Sequence, residues 1–260
     1  MPLFEPASEP GTTMQQLHER PFAVSLCSSV LAEVQQTIRQ AIAALRRPTS
    51  GARLLDIGCW TGESTVGYGA ALGGAQLAGV EIFDAPARQA EERGIEVARL
   101  DLERDAFPWA TGFFDVVVSN QVFEHLKNIW LPLSEAFRVL KPGGHLVISV
   151  PNLASLHNRV LLAFGSQPTS IRTLGPHVRG YTLSELVALL ELNGGLSVQC
   201  VKGVGFYPLP ARLARPLANL FTAASHTPVV VARKERDLDV PPWQEYRQRE
   251  MAEGVQTFYG

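Results

Sequence analysis

The chain has 260 residues, 46% apolar and 18% charged, with a formal net charge of −2 and 3 cysteines. These values describe a globular domain able to bury a core and argue against a collagenous, disordered or disulfide-stapled chain. No run approaches the roughly 18 uncharged apolar residues of a membrane span, and no Lys/Arg cluster is interleaved with aromatics as a nucleic-acid surface requires.

Residues 1–21 read as a flexible leader, whose first 11 residues carry Glu5, Glu9 and three prolines in place of a signal peptide's basic and apolar regions. Leu26, Val30, Leu31, Val34, Ile38, Ile42 and Leu45 then keep helical spacing within 22–47, and Pro48-Thr49-Ser50-Gly51 stops that helix. Strand and helix signals alternate from there. Strands are expected at Arg53–Ile57, Gln76–Glu81, Ile95–Asp101, Phe113–Ser119 and Gly144–Val150. Helices are expected at Glu63–Leu72, Ala85–Arg93 and Val122–Leu140, the last stopped by Lys141-Pro142-Gly143-Gly144. Such alternation predicts a parallel sheet covered on both faces.

The pattern then changes. Residues 151–180 hold one short helical piece and a Gly/Pro/Ser/Thr-rich loop. Thr182-Leu183-Ser184-Glu185 reads as a capping box opening a helix through Leu192. Strands at Leu196–Val204 and Thr227–Arg233 flank a Pro-broken apolar insert, 205–225, and a charged tail, 236–260, follows. Charge is uneven along the chain: residues 1–135 carry 10 Lys/Arg against 17 Asp/Glu, whereas 136–234 carry 10 against 2. A basic half suits an anionic substrate, and it equally suits a solvated surface of uneven sign. Cys27, Cys59 and Cys200 lack metal-ligand spacing and fit reduced thiols, so a cytoplasmic location is expected.

The most informative segment is Leu54-Leu55-Asp56-Ile57-Gly58-Cys59-Trp60-Thr61-Gly62. An apolar strand ends in an acid and then turns through two glycines into a helix, which brings backbone close to a ligand beside a carboxylate. Glu81 closes the second strand, where an acid's two oxygens can accept both hydroxyls of a ribose. Asp101-Leu102 and Asn120 end the third and fourth strands. The Gly-x-Gly-x-x-Gly fingerprint of nicotinamide sites is absent.

In that order, with Lys141-Pro142-Gly143-Gly144 before the fifth strand, these parts resemble class I S-adenosylmethionine (SAM) methyltransferases over roughly residues 50–235. The Glu124-His125-Leu126 stretch and Pro176-His177-Val178-Arg179-Gly180-Tyr181 are similar to the ubiquinone-biosynthesis-like and related small-molecule O-methyltransferases. The resemblance implies an α/β Rossmann-like sheet of seven mostly parallel strands in the order 3-2-1-4-5-7-6, with the 22–47 helix over the cofactor cleft. It makes 22–235 the methyltransferase domain, with 151–180 and 205–225 forming the acceptor pocket. It assigns SAM to Asp56, Gly58, Cys59, Trp60, Gly62, Glu81, Ile82, Asp101, Leu102 and Asn120. Trp60 replaces the family's middle glycine: directed away it leaves binding unharmed, and directed inward it packs on the methionyl part or obstructs it. Cys59 reads as a small packing residue, since no basic neighbour in sequence activates its thiol.

Methyl transfer requires in-line alignment, exclusion of water and loss of one proton. His125 and His177 are the candidate catalytic bases, with structural roles as their alternatives. His157, Arg159, Arg179 and Tyr181 are candidate substrate contacts. No metal is expected, because Ser119-Asn120 and Pro151-Asn152 stand where catechol-type enzymes supply acids. Asn120-Gln121-Val122-Phe123 differs from the Asn-Pro-Pro-Tyr of amide and base methylation, which leaves oxygen on a small molecule as the expected acceptor. The partner expected is thus a small-molecule substrate, the chain being a monomer or homodimer. An idle SAM-binding subunit remains an alternative. So does an enzyme of lipid-linked substrates making peripheral membrane contact through Phe206–Phe221, with Arg212 and Arg215 toward headgroups.

Overall fold

The structure is a computed structural model that describes residues 21–45, 51–239 and 243. Residues 1–20 of the expected leader, 48–50 of the expected helix stop and most of the charged tail lie outside the described residues, and Pro21, read as leader, opens the first helix. Seven strands form one sheet: β1 (Arg53–Ile57), β2 (Gln76–Val80), β3 (Glu96–Ala98), β4 (Phe114–Asn120), β5 (Leu140–Ser149), β6 (Leu196–Val204) and β7 (Thr227–Lys234). Their order is β3-β2-β1-β4-β5-β7-β6, as expected, and β7 runs antiparallel to both of its neighbours. The helices are α1 (Pro21–Ala43), α2 (Glu63–Ala71), α3 (Asp84–Glu92), α4 (Trp130–Val139), α5 (Leu156–Ala163), α6 (Leu183–Leu190) and α7 (Ala211–Leu220).

Strands buried on both faces need apolar residues at consecutive positions, and these have them. Leu54, Val116, Val118 and Val147 face Val34, Ile38 and Ile42 of α1 and Tyr68 of α2. Leu55, Val117, Leu146 and Ile148 face the other way, toward Leu133 and Phe137 of α4 and Leu186 and Leu190 of α6. Helix α1 therefore lies along a sheet face, packed on α2, β5, β6 and β7, rather than over the cleft where it was expected. Burial of its Val34, Ile38 and Ile42 decides this, each contributing roughly 1.5–3 kcal/mol.

Two element boundaries differ from expectation for local polar reasons. Strand β3 stops at Ala98 because Asp101 folds its own loop: its carboxylate accepts from Glu103 N at 2.9 Å and its N–H donates to Asp105 at 2.8 Å. The helix read at Val122–Leu140 splits into a 3₁₀ turn, Phe123–His125, and α4. Asn128 accepts from Trp130 N at 3.2 Å and restarts the helix, where Pro132 falls in the first turn and needs no N–H partner. The Lys141–Gly144 turn becomes a bulge within β5, since Phe114 pairs Leu140 while Val116 pairs His145. The capping residue behaves as read, with Thr182 Oγ1 accepting from Glu185 N at 3.2 Å. In the 205–225 insert, α7 buries Ala214 and Ala218, exposes Leu213 and Leu220, and pairs Arg215 with Glu33 at 2.7 Å.

Candidate active site

Parallel registry sets Ile57 beside Val80 and Ser119, so Gly58, Glu81 and Asn120 emerge together at the carboxyl edge of β1, β2 and β4. Ligands of open α/β sheets bind at such an edge. The loop after β1 carries positive φ at Gly58 (75°), Trp60 (49°) and Gly62 (79°). The glycines make room for neighbouring side chains of the protein itself. A Cβ on Gly58 would stand 2.6 Å from Val122 Cγ2, and one on Gly62 would run into Ile95 and Ala90. Cys59 is buried and packs where a Cβ on Gly79 would be 2.5 Å from its sulfur. Burial, with the Asp56 and Glu81 charges, pushes its thiol up to about 12, so it does not act as a nucleophile.

Asp56 is buried and accepts from Thr65 Oγ1 at 2.6 Å; desolvation outweighs that bond and pushes its carboxyl up to about 7. Glu81 accepts from Trp60 N at 3.0 Å and Phe83 N at 2.9 Å, one on each carboxylate oxygen. The Trp60 ring is 58% exposed and meets Phe83 edge to face at 6.2 Å, with exposed Ile82 between them in sequence. Asp101 is engaged in its own turn, and Leu102 packs on the main core. Asn120 accepts from Ser149 Oγ at 2.7 Å and turns its amide to the Tyr68 hydroxyl at 3.5 Å. This edge fits a nucleoside cofactor. Each Glu81 oxygen keeps a second lone pair for a hydroxyl, and the exposed Trp60, Ile82 and Phe83 offer apolar surface for a base.

Beyond Asn120 the chain turns sharply at Gln121, whose φ is 57°. The 3₁₀ turn that follows holds Glu124 at 1% exposure with neither carboxylate oxygen hydrogen-bonded. Desolvation pushes that carboxyl up to about 8. His125 lies next to it, exposed, its ring 4.8 Å from that of His177. His125 Nδ1 is 3.3 Å from the Pro176 carbonyl, and His177 Nδ1 is 2.8 Å from the Ser170 carbonyl. Carbonyls only accept, so each Nδ1 carries a proton, which leaves Nε2 as the ring nitrogen turned to other partners. Burial lowers the His125 pKa, the Pro176 carbonyl opposes this, and His177 adds to it. One ligand atom from each of Glu124, His125 and His177 lies within 4.8 Å of the others, a grouping among the described residues that could hold a metal ion.

The segment bearing His177 is tied to the turn by backbone. Glu124 O accepts from Val178 N at 2.9 Å and Arg179 N at 3.1 Å. Arg179 donates to the carbonyls of Leu126 (3.2 Å) and Lys127 (2.6 Å), and the Tyr181 hydroxyl reaches Phe123 O at 3.3 Å. Arg179 and Tyr181 thus fasten the loop that carries His177. Arg159 donates to Ala154 O at 2.7 Å. His157 bonds Thr169 at 2.8 Å and stacks on His226 at 5.3 Å, with Tyr207 at its edge. Burial, then His157, pushes the His226 pKa down to about 4. Sequence reasoning passed over Thr65, Tyr68, Ser149 and His226, which stand in no motif, and gave Glu124 no role although it adjoins His125. A groove of about 1570 Å³ between α1 and β6, lined by Glu33, Gln40 and Lys202 among others, is a separate feature: it runs along the sheet rather than at these strand ends.

A methyltransferase domain family model matches residues 30–198. The chain belongs to the methyltransferase domain family. It is 30% identical over 173 residues to a mouse protein named ubiquinone biosynthesis O-methyltransferase, mitochondrial, a match covering 62% of this chain and 46% of that one. It is 31% identical over 176 residues to the ubiquinone biosynthesis O-methyltransferase of Maricaulis maris, covering 63% and 66%. It is 30% identical over 195 residues to the 27-O-demethylrifamycin SV methyltransferase of Amycolatopsis mediterranei, covering 71% and 68%. The chain spans just under half the length of the mammalian relatives. Among solved structures, a SAM-dependent methyltransferase from Thermotoga maritima superposes with a TM-score of 0.54 at 21% identity, covering 79% of this chain and 91% of that one. The fold of this methyltransferase-family chain is that of the class I SAM-dependent enzymes.

Proposed function

We propose that this chain transfers a methyl group from SAM to a hydroxyl of a small-molecule biosynthetic intermediate. The observation that carries the reading is the pairing of two histidines, His125 and His177, beyond the edge where Gly58, Glu81 and Asn120 emerge together. The O-methyltransferase names of its relatives support oxygen as the acceptor atom.

SAM supplies, when bound, a methyl group made electrophilic by a cationic sulfur. Glu81 would hold its ribose hydroxyls, Ile82 and Leu102 its adenine, Asp101 the adenine amino group and Asp56 the amino-acid end. Asn120, held by Ser149, would flank the sulfur. The loop 58–62 and the Glu124 turn touch through Gly58 and Val122, so cofactor and acceptor positions are set by one packed unit. Such alignment is worth roughly 7–11 kcal/mol at best. His125 and His177 then act on the acceptor hydroxyl, where a base typically adds 10²–10⁴-fold.

A basic patch is weak support for an anionic acceptor. Arg138, Lys141, Arg215, Arg233 and Lys234 pair with Glu135, Asp115, Glu33, Glu235 and Asp237. Neutral phenols and alcohols are therefore the first acceptors to try. Free Cys59 and Cys200 support a reducing, cytoplasmic setting. The test is transfer of label from methyl-labelled SAM to a panel of phenols, alcohols and amines. Label is expected on oxygen only, and His125→Ala and His177→Ala are each expected to slow it about 100-fold. Bound but unconsumed SAM across the panel, or single variants as fast as wild type, would overturn the assignment.

A further inference from the structure

We infer that Asn158 is a positioning residue for the proposed reaction: it fixes the Ser170 carbonyl, and through that carbonyl the tautomer and aim of His177. Its purpose rests on the proposed hydroxyl methylation, while the bonds that link these residues stand without it.

The His177 ring has two nitrogens, and a base must meet the acceptor hydroxyl with a lone pair. A carbonyl at Nδ1 keeps the proton there and leaves the lone pair on Nε2; the opposite tautomer presents an N–H instead. The carbonyl in question is Ser170 O, 2.8 Å from Nδ1. Ser170 sits in the 3₁₀ turn Thr169–Ile171, which has one backbone bond of its own, Ile171 N to Pro168 O at 3.2 Å. So short a turn takes its orientation from its surroundings.

Asn158, in the first turn of α5, supplies them. Its side chain is 1% exposed and uses every hydrogen-bonding position of its amide. Oδ1 accepts from Thr169 N at 2.9 Å and from Thr169 Oγ1 at 3.0 Å. Nδ2 donates to Ser170 Oγ at 3.0 Å and to Asn152 O at 3.1 Å. Asn152 carries the grip to the sheet. It is buried just beyond β5, donates through Nδ2 to Ala223 O at 3.0 Å and Ser225 O at 2.9 Å, and its N–H donates to His226 O at 2.9 Å. A continuous path thus runs from the start of β7 through Asn152, Asn158 and Ser170 to the His177 ring. On the other side, Glu124 O and Arg179 hold the backbone of the His177 loop and leave the ring itself free to turn. The Ser170 carbonyl adds the missing constraint.

A buried amide with all its positions engaged also stabilises the fold, so loss of activity alone would prove nothing, and the tautomer must be read. In full-length protein without SAM or acceptor, ¹³C–¹⁵N correlation of the imidazoles at about pH 8, where a histidine is ordinarily neutral, is expected to show His177 with its proton on Nδ1. Asn158→Ala is expected to give a mixture with the Nε2–H form. Ser170→Ala keeps the carbonyl, cuts one bond of Asn158 and disturbs folding less; it is expected to shift the tautomer the same way by a smaller fraction. With an acceptor from the labelled-SAM panel, Asn158→Ala is expected to lower kcat about 30-fold at unchanged KM for SAM, and to lower it no further in a His177→Ala background. Wild-type His177 in the Nε2–H form, an unchanged tautomer in the folded variants, or losses that multiply in the double variant would overturn the inference. A tautomer shift without methylation of any acceptor leaves the linkage standing and removes hydroxyl transfer. Methylation with an unshifted tautomer does the reverse.

Discussion

Gly58 joins two loops through an absence. Its Cβ position is taken by Val122, two residues before Glu124, and its φ of 75° is one that L side chains rarely adopt. Gly58→Ala is expected to cost about 1–3 kcal/mol from crowding and backbone strain. Adding Val122→Ala should recover the crowding part alone, and a thermal-melt double-mutant cycle measures the split. At this scale the sequence was legible where chemistry requires one residue type at a strand end, as with Asp56 and Glu81. It was silent on Val122, because the contact joins residues 64 positions apart with no spacing to betray it. Glu124 was hidden differently: an acid before a histidine reads as a solvated pair, and only the fold shows it buried.

Among the elements, the loop before α6 matters most. Nothing about His177 or Arg179 in sequence distinguishes a substrate contact from a fastener, and the bonds of Arg179 to the Leu126 and Lys127 carbonyls make it a fastener. Arg179→Ala is expected to lower kcat about tenfold and to speed amide hydrogen exchange at residues 176–180, with melting temperature nearly unchanged. Unchanged exchange would mean that the backbone bonds to Glu124 hold the loop alone. Helix and strand types were readable from periodicity, since each buries a regular apolar face. Boundaries were not, because Asp101, Asn128 and the Lys141–Gly144 bulge end or bend elements through single polar bonds and turns. The family match ends at residue 198, short of the 205–225 insert. The 205–225 segment, which we propose helps set acceptor choice, is thus the one for which pattern reasoning had least to offer.

For the molecule as a whole, His157 joins the two inserts beyond the sheet, with Tyr207 at its edge and His226, just before β7, stacked on it. The His226 pKa near 4 lies below its ordinary 6.5, so between those values the unfolded chain binds more protons than the folded one. Stability is therefore expected to be intact above about pH 6.5 and to fall as pH drops toward 4, by up to about 3 kcal/mol. His226→Gln should flatten that part of a urea-denaturation pH profile. A profile identical to wild type would place the acid sensitivity elsewhere. The sheet order was available through the family resemblance, whereas the position of α1 was not, because an amphipathic helix fits a sheet face and a cleft equally well. Glu81 leaves a last consequence. By receiving the N–H groups of Trp60 and Phe83, it holds both walls of the proposed nucleoside cleft through the protein's own bonds. Entry of the cofactor then orders little new backbone, so its binding entropy should be mild and its arrival fast. Removing Glu81 would turn a rigid receptacle into one that must assemble around its guest.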